Sequence, residues 1–170
     1  YGGLPSIPHG NWLNPGTDKE QFLGAFFSNV KVKKGDSFTR PSAGGGGLGD
    51  PLKRDPEAVL EDVIDGYVSI ERAKKDYGVV IKEIDAELDL YEILEDETAK
   101  EREYIRQNRK NWLMEDPDVV YELYKNGEID ELDLIRRYGV IIDFATDEVL
   151  YKSTSQFREM LQKRSAAYWD

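Results

Sequence analysis

The chain is predicted to be α+β: an N-terminal loop and β-hairpin that join a larger sheet, two repeated helix-turn-helix-strand units, and a C-terminal helix. Three observations predict it. Residues 55–81, DPEAVLEDVIDGYVSIERAKKDYGVVI, recur as residues 116–142, DPDVVYELYKNGEIDELDLIRRYGVII, with a shift of 61 positions and no gap. Within each copy the apolar residues keep helical spacing and then give way to a β-branched run. Finally, residues 1–50 hold eleven of the fifteen glycines and are nearly neutral, with five Lys/Arg against four Asp/Glu, whereas residues 51–170 hold eighteen against thirty. The regime changes near Asp50-Pro51. Three segments result: 1–50, a Gly/Pro-rich loop and hairpin; 51–114, the first repeat with a linker helix; 115–170, the second repeat with the C-terminal helix.

The first twenty residues, YGGLPSIPHGNWLNPGTDKE, are rich in Gly, Pro and Asn and read as ordered loop. Phe26 to Val32, the turn Lys33-Lys34-Gly35-Asp36 and Ser37 to Arg40 then read as a hairpin. A lone hairpin is not stable in water, so this one is expected to complete a larger sheet. Next, Gly44-Gly45-Gly46-Gly47-Leu48-Gly49-Asp50-Pro51 allows close backbone approach. Such a loop can cradle a phosphate, but the lysine of a phosphate loop is replaced by Asp50-Pro51, which favours a packed turn.

In each repeat, Asp55 or Asp116 caps a helix whose first residue is Pro56 or Pro117, where the missing N–H costs nothing. Gly66 and Gly127 supply a left-handed exit, and Ser69 and Asp130 cap a second helix that stops at Tyr77-Gly78 or Tyr138-Gly139. Val79-Val80-Ile81 and Val140-Ile141-Ile142 follow as short strands. Helices of two to three turns are marginal alone, so the faces carrying Val59, Val63 and Ala73, and Val120, Leu123 and Leu134, must be buried. A scaffold or docking module meets that need.

Between the repeats, Glu92 to Trp112 is a charged helix with a narrow stripe of Leu94, Thr98, Ile105 and Trp112, expected on a surface. The last helix is expected to start at Ser155 as cap and to carry Phe157, Met160, Leu161, Arg164 and Tyr168 along one side. The Tyr168-Trp169 pair suits packing within a complex.

With a formal charge of -11 and a pI near 4.7, there is no basic excess for a phosphate backbone, which argues against nucleic acid as a partner. No run approaches the length of a membrane span, no signal peptide is recognisable, and the absence of cysteine fits a reducing, cytoplasmic setting. The chain opens on Tyr1, which suggests a processed chain or a piece of a longer one.

No complete active site emerges from the residues. His9, the single histidine, has no serine, cysteine or carboxylate at a recognisable partner spacing. One His and no Cys disfavour a zinc or iron site on this chain. Asp85, Glu87 and Asp89 alternate, but the glycine and distal glutamate of a calcium loop are missing, so they read as a solvated acidic loop. No catalytic, cofactor-binding or metal residue is assigned; His9, Gly45 and Gly46 are kept as a possible active-site edge.

Taken in order, Asn14-Pro15-Gly16-Thr17, Lys34-Gly35-Asp36, Gly44 to Pro51, Arg54-Asp55-Pro56-Glu57-Ala58-Val59 and Asp76-Tyr77-Gly78-Val79-Val80 resemble the C-terminal end of the hydantoinase B/oxoprolinase family. That family includes the B-type component of ATP-dependent hydantoinases and the large subunits of acetone and acetophenone carboxylases. The resemblance covers residues 1–85 and implies a cytoplasmic hetero-oligomer with larger hydantoinase A-like and B-like subunits. It further implies ATP used to phosphorylate a carbonyl or enol oxygen, and a divalent metal, both held by other chains or regions. The expected role is a structural, interface-forming subunit or C-terminal fragment of an ATP-dependent ketone carboxylase. The alternatives are part of a hydantoinase or oxoprolinase that opens cyclic amides, a non-enzymatic acidic adaptor, and a free-standing nucleotide-binding enzyme. The second repeat and the terminal helix depart from the commonest ending of the family and suit the carboxylase branch.

Overall fold

The computed structural model describes residues 10–40 and 47–163, and these fall into two compact units. One holds residues 47–114 with Lys163; the other combines residues 10–40 with residues 115–162. The architecture is α+β, with helices and small antiparallel sheets in both.

Residues 10–40 form a three-stranded antiparallel sheet of β1 (Asn11–Leu13), β2 (Gln21–Gly24) and β3 (Phe38–Thr39), in the order β2-β1-β3. The expected strand over Phe26 to Val32 does not form. Gly24 and Asn29 have φ of 77° and 58°, values that a pleated strand does not accommodate, so the extended run ends at Gly24. Conversely, β1 lies inside the stretch read as loop; its buried Asn11 donates to the Gly24 and Ala25 carbonyls.

In residues 47–114, a 3-10 helix (Pro51–Lys53) leads into α1 (Pro56–Ile64), α2 (Ile70–Tyr77), the hairpin of β4 (Ile81–Asp85) and β5 (Leu90–Ile93), and α3 (Glu95–Met114). Asp55 accepts from the Glu57 N–H at 3.1 Å, and Ser69 accepts from Arg72 at 3.1 Å. Each cap contributes about 1 kcal/mol. Helix α2 ends at Gly78 (φ 63°), where the Val79 N–H reaches back to the Ala73 carbonyl.

In residues 115–162 the same order returns: α4 (Pro117–Lys125), α5 (Glu131–Arg136), β6 (Ile142–Asp143), β7 (Glu148–Val149) and α6 (Tyr151–Gln162). Asp116 accepts from Asp118 and Asp130 from Asp133, both at 2.9 Å. The cores coincide position by position. Val59, Ala73, Val79 and Ile81 form one buried cluster; Val120, Leu134, Val140 and Ile142, each 61 residues later, form the other. Val63 packs beside its cluster, whereas Leu123 is half-buried. The expected burial is thus met largely within each unit.

The correspondence runs past Ile81 and Ile142, where the sequence alignment stops. Thr98 Oγ1 accepts the Val80 N–H at 3.0 Å, and Thr154 Oγ1 accepts the Ile141 N–H at 3.0 Å. Leu94 and Leu150 donate to the same two residues' carbonyls, both at 2.9 Å. Arg102 and Arg158 then donate to the Tyr77 and Tyr138 carbonyls, and Ile105 and Leu161 are both buried. The shared pattern is Leu-x3-Thr-x3-Arg-x2-Ile/Leu, and α3 and α6 are its third helices.

Three expectations change accordingly. The runs at Val79 and Val140 are not strands at their start: both valines close the preceding helix, and strands begin at Ile81 and Ile142 as hairpins. Helix α6 begins at Tyr151 and not at Ser155, because Leu150 and Thr154 already anchor its first turn to Ile141, leaving Ser155 exposed inside the helix. Helix α3 is more than a surface connector; it buries Thr98, Ile105, Arg109 and Leu113, while Trp112 is half-buried with its ring 5.9 Å from Tyr104. Tyr168 and Trp169 lie outside the described residues.

Candidate functional site

The motif fragments singled out from sequence serve as ties. Asn14, at φ 52°, donates through Nδ2 to Asp36 at 3.1 Å, and its Oδ1 accepts the Ser37 N–H at 2.9 Å. Asp36 also accepts the Lys33 N–H at 2.6 Å. These bonds, the Lys33 one foremost, hold the Asp36 carboxyl below its ordinary pKa. Asn14 and Asp36 therefore fasten the turn after β1 to the turn before β3.

Asp50, at the end of the glycine-rich stretch, accepts from the Leu52 N–H and pairs with Arg109 of α3 at 3.1 Å, with both side chains almost fully buried. A carboxylate this enclosed requires its partner, since removing one member of a buried pair leaves an uncompensated charge. The pair ties Asp50, next to Gly49, to α3. Gly47 and Leu48 are exposed beside it. His9, Gly45 and Gly46, the possible active-site edge, lie outside the described residues.

A groove of about 520 Å³ lies between the start of α1 and the first half of α3, lined by Asp55, Glu57, Glu95, Thr98, Arg102 and Arg106 among others. Its guanidinium groups are engaged. Arg102 donates to the Tyr77 carbonyl at 3.2 Å and to the Arg54 carbonyl at 2.6 Å, and burial pulls its pKa below the usual arginine value. Arg106 pairs with Glu103 at 2.7 Å. Thr98 is committed to Val80. With carboxylates and guanidiniums both present and the principal donors spent on the fold, the groove holds polar groups together and lacks an activated nucleophile.

Among the described residues no group of three or more His, Cys, Asp or Glu is placed to hold a metal ion. No helix among the described residues is long and apolar enough to cross a membrane. The half-buried Asp85 carboxylate accepts the Glu87 N–H at 3.0 Å in the turn after β4.

The surface offers apolar groups instead. In residues 10–40, Phe26, Phe27, Val32 and Phe38 are exposed, with the Phe27 and Phe38 rings 5.7 Å apart. In the β4–β5 hairpin, Ile84, Leu88 and Leu90 are exposed. Sequence reasoning missed Arg102, Arg109, Arg158 and Thr154 and placed Thr98 only on a surface stripe; the repeated Leu-x3-Thr-x3-Arg spacing was the available signal for all but Arg109.

No family model matches the chain. Three curated relatives align with parts of it. The B-type component of a D-/L-hydantoinase from a Pseudomonas species is 42% identical over 62 residues, 35% of this chain and 10% of that protein. The beta component of caprolactamase from Pseudomonas jessenii is 51% identical over 52 residues, 31% of this chain and 9% of that protein. The resemblance is to hydantoinase B-type subunits. The acetone carboxylase alpha subunit of Xanthobacter autotrophicus joins them, 40% identical over 75 residues, 44% of this chain and 9% of that protein. The matched stretches thus span about a tenth of these relatives. Among solved structures, nucleotide-free acetone carboxylase, described in connection with ATP-dependent acetone carboxylation, matches with a TM-score of 0.48 at 20% identity, over 97% of this chain and 25% of that one.

Proposed function

We propose that the chain is a structural, interface-forming part of an ATP-dependent enzyme that acts at a carbonyl carbon, of the ketone carboxylase type. The single observation that carries this reading is the likeness to three enzyme subunits, each matched over only about a tenth of its length. In this reading the matched stretch is an attachment to a catalytic body, and the described residues supply ties and exposed apolar surface in keeping with that. ATP and a divalent metal would be held by other regions or chains. The partners are larger A-like and B-like subunits. A cytoplasmic setting goes with ATP consumption and with a chain that has no cysteine.

In this reading the β2-β1-β3 sheet is completed by a larger one, the exposed Phe26, Phe27, Val32 and Phe38 are covered in the assembly, and the two helical units clamp neighbouring subunits. A hydantoinase or lactamase role is the second reading, favoured by the fact that two of the three relatives are named for cyclic amides, one at 51% identity. A free adaptor that docks through the Val59 face is disfavoured, because Val59 is fully buried.

Reconstitution tests it: the protein carrying this chain is combined with its companion subunits, and ATP-dependent consumption of acetone, hydantoin and caprolactam is followed with and without residues 10–163. The proposal expects acetone turnover that is lost when the residues are deleted. Turnover of the cyclic amides alone selects the second reading, and turnover of any substrate unaffected by the deletion overturns the attachment role.

A further inference from the structure

The groove between α1 and α3 has a counterpart in the second unit, and there the chain bridges it with a side chain of its own. The repeat pairs the start of α1 with the start of α4, so Glu57 stands where Asp118 does. The threonine and arginine ties pair α3 with α6, 56 residues apart, so Glu95 stands where Tyr151 does. Tyr151 opens α6, and its hydroxyl donates to the Asp118 carboxylate near the start of α4 at 2.6 Å. It therefore lies across the place that corresponds to the groove of residues 47–114.

The first unit has no such bridge. Pro56, Ile93 and Ala99 give the groove an apolar lining, and about 520 Å³ is within the range of small-molecule sites. Its guanidinium groups are engaged, Arg102 with the Tyr77 and Arg54 carbonyls and Arg106 with Glu103, and the Asp55 carboxylate accepts the Glu57 N–H. The Glu57 and Glu95 carboxylates, in contrast, make no hydrogen bond or ion pair with the described residues. What the groove lacks is a donor, and a donor on an apolar body is what Tyr151 supplies at the equivalent place. Because position 95 brings a second carboxylate in place of the ring, a neutral hydroxyl would leave both charges uncompensated, whereas a cation compensates them.

We propose that this groove binds a small organic cation, an ammonium or guanidinium group held by Glu57 and Glu95 with its hydrocarbon stem against Pro56, Ile93 and Ala99. N–H groups of the cation donate to the two carboxylates in charge-assisted hydrogen bonds. A guanidinium, whose planar fork matches a carboxylate, binds more tightly than an ammonium on the same stem. The site lies wholly within residues 47–114 and does not depend on the attachment role.

Calorimetric titration of the full protein carrying the chain tests it, with butylguanidinium as the probe and pentanol as the uncharged control. The proteins compared are the wild type, E57Q/E95Q, E95Y, which copies the bridge of the second unit, and E83Q/E87Q, which removes the same charge from the β4–β5 hairpin. All four positions are exposed, and circular dichroism checks that each variant folds as the wild type does. The wild type and E83Q/E87Q should bind one equivalent of butylguanidinium with a Kd of about 1 mM or tighter. E57Q/E95Q and E95Y should each bind roughly tenfold or more weakly, and pentanol should not bind. A wild type that takes up no butylguanidinium overturns the site. Equal weakening in E83Q/E87Q also overturns it, because the probe would then be answering only the overall negative charge. Pentanol bound as tightly as butylguanidinium overturns the ligand class, and wild-type affinity in E95Y overturns the equivalence with Tyr151 on which that class rests.

Discussion

Arg72 and Asp133 stand at equivalent positions 61 residues apart and carry opposite charges, yet each forms the same kind of ion pair one turn further along its helix. Arg72 meets Asp76 at 3.4 Å, and Asp133 meets Arg137 at 3.7 Å. The pair is retained while its polarity is inverted. What the fold requires at this place is a neutral, mutually compensated couple beside the core, and either order supplies it.

Reversing one partner should therefore do harm that reversing both repairs. D76R places two cations together beside a side chain that is nearly buried and should destabilise residues 47–114 by about 3 kcal/mol, the scale for breaking an enclosed pair. The double variant R72D/D76R, which copies the arrangement at Asp133 and Arg137, should recover most of that. Urea unfolding of the two proteins measures it.

The threonines at the start of the third helices give a matched pair of tests. In T98V the half-buried Val80 N–H loses its acceptor, and in T154V the half-buried Ile141 N–H does. Each should cost about 1 kcal/mol, the net worth of an ordinary hydrogen bond. Hydrogen exchange at those two amides should speed up in the corresponding variant and not in the other.

Two glycines separate backbone strain from crowding. Gly66 and Gly78 both have positive φ, 76° and 63°, but a Cβ on Gly66 meets nothing within 4 Å, whereas one on Gly78 lies 2.7 Å from Arg102 Cγ and 3.2 Å from Arg102 backbone atoms. G66A should cost about 1 kcal/mol from the left-handed conformation alone. G78A should cost clearly more, and thermal unfolding of both variants ranks them.

A pH dependence follows from Tyr121. Burial, and then the hydrogen bond from its hydroxyl to the Asp147 carbonyl, raise its pKa from 10 to about 12. The folded state thus holds the proton more tightly than the unfolded chain. The resulting stabilisation is complete below pH 10 and is lost as pH rises from about 10 to 12. Tyrosinate absorbance should show late-titrating residues, since Tyr124 and Tyr151 are also raised, and Y121F should have one fewer of them and lose less stability than the wild type across that interval.

Much of the helical part was legible because its signals are local. Asp55-Pro56 and Asp116-Pro117 announce helix starts, Gly78 and Gly139 announce stops, and the 61-residue shift pairs them. The hairpins were not legible, since their stems differ in length and break the register just after Ile81 and Ile142. The third helices were foreseen as helices, but their equivalence was hidden for the same reason: Thr98 and Thr154 are 56 residues apart, not 61. In the N-terminal sheet, Asn14 and Asp36 were noticed as motif members, but their mutual hydrogen bond depends on a fold-back that sequence spacing does not encode. Of the candidate site, Asp50 was seen only as the residue that replaces a phosphate-loop lysine; its partner Arg109 lies 59 positions away and carries no local mark.

The most direct measurement of the central claim is sedimentation velocity of the protein carrying this chain, alone and mixed with its companion subunits. The account predicts that it leaves its own slower boundary and moves wholly with the larger particle, and that deleting residues 10–163 prevents this. An unchanged slow boundary in the mixture, with the companions sedimenting as they do by themselves, would contradict it.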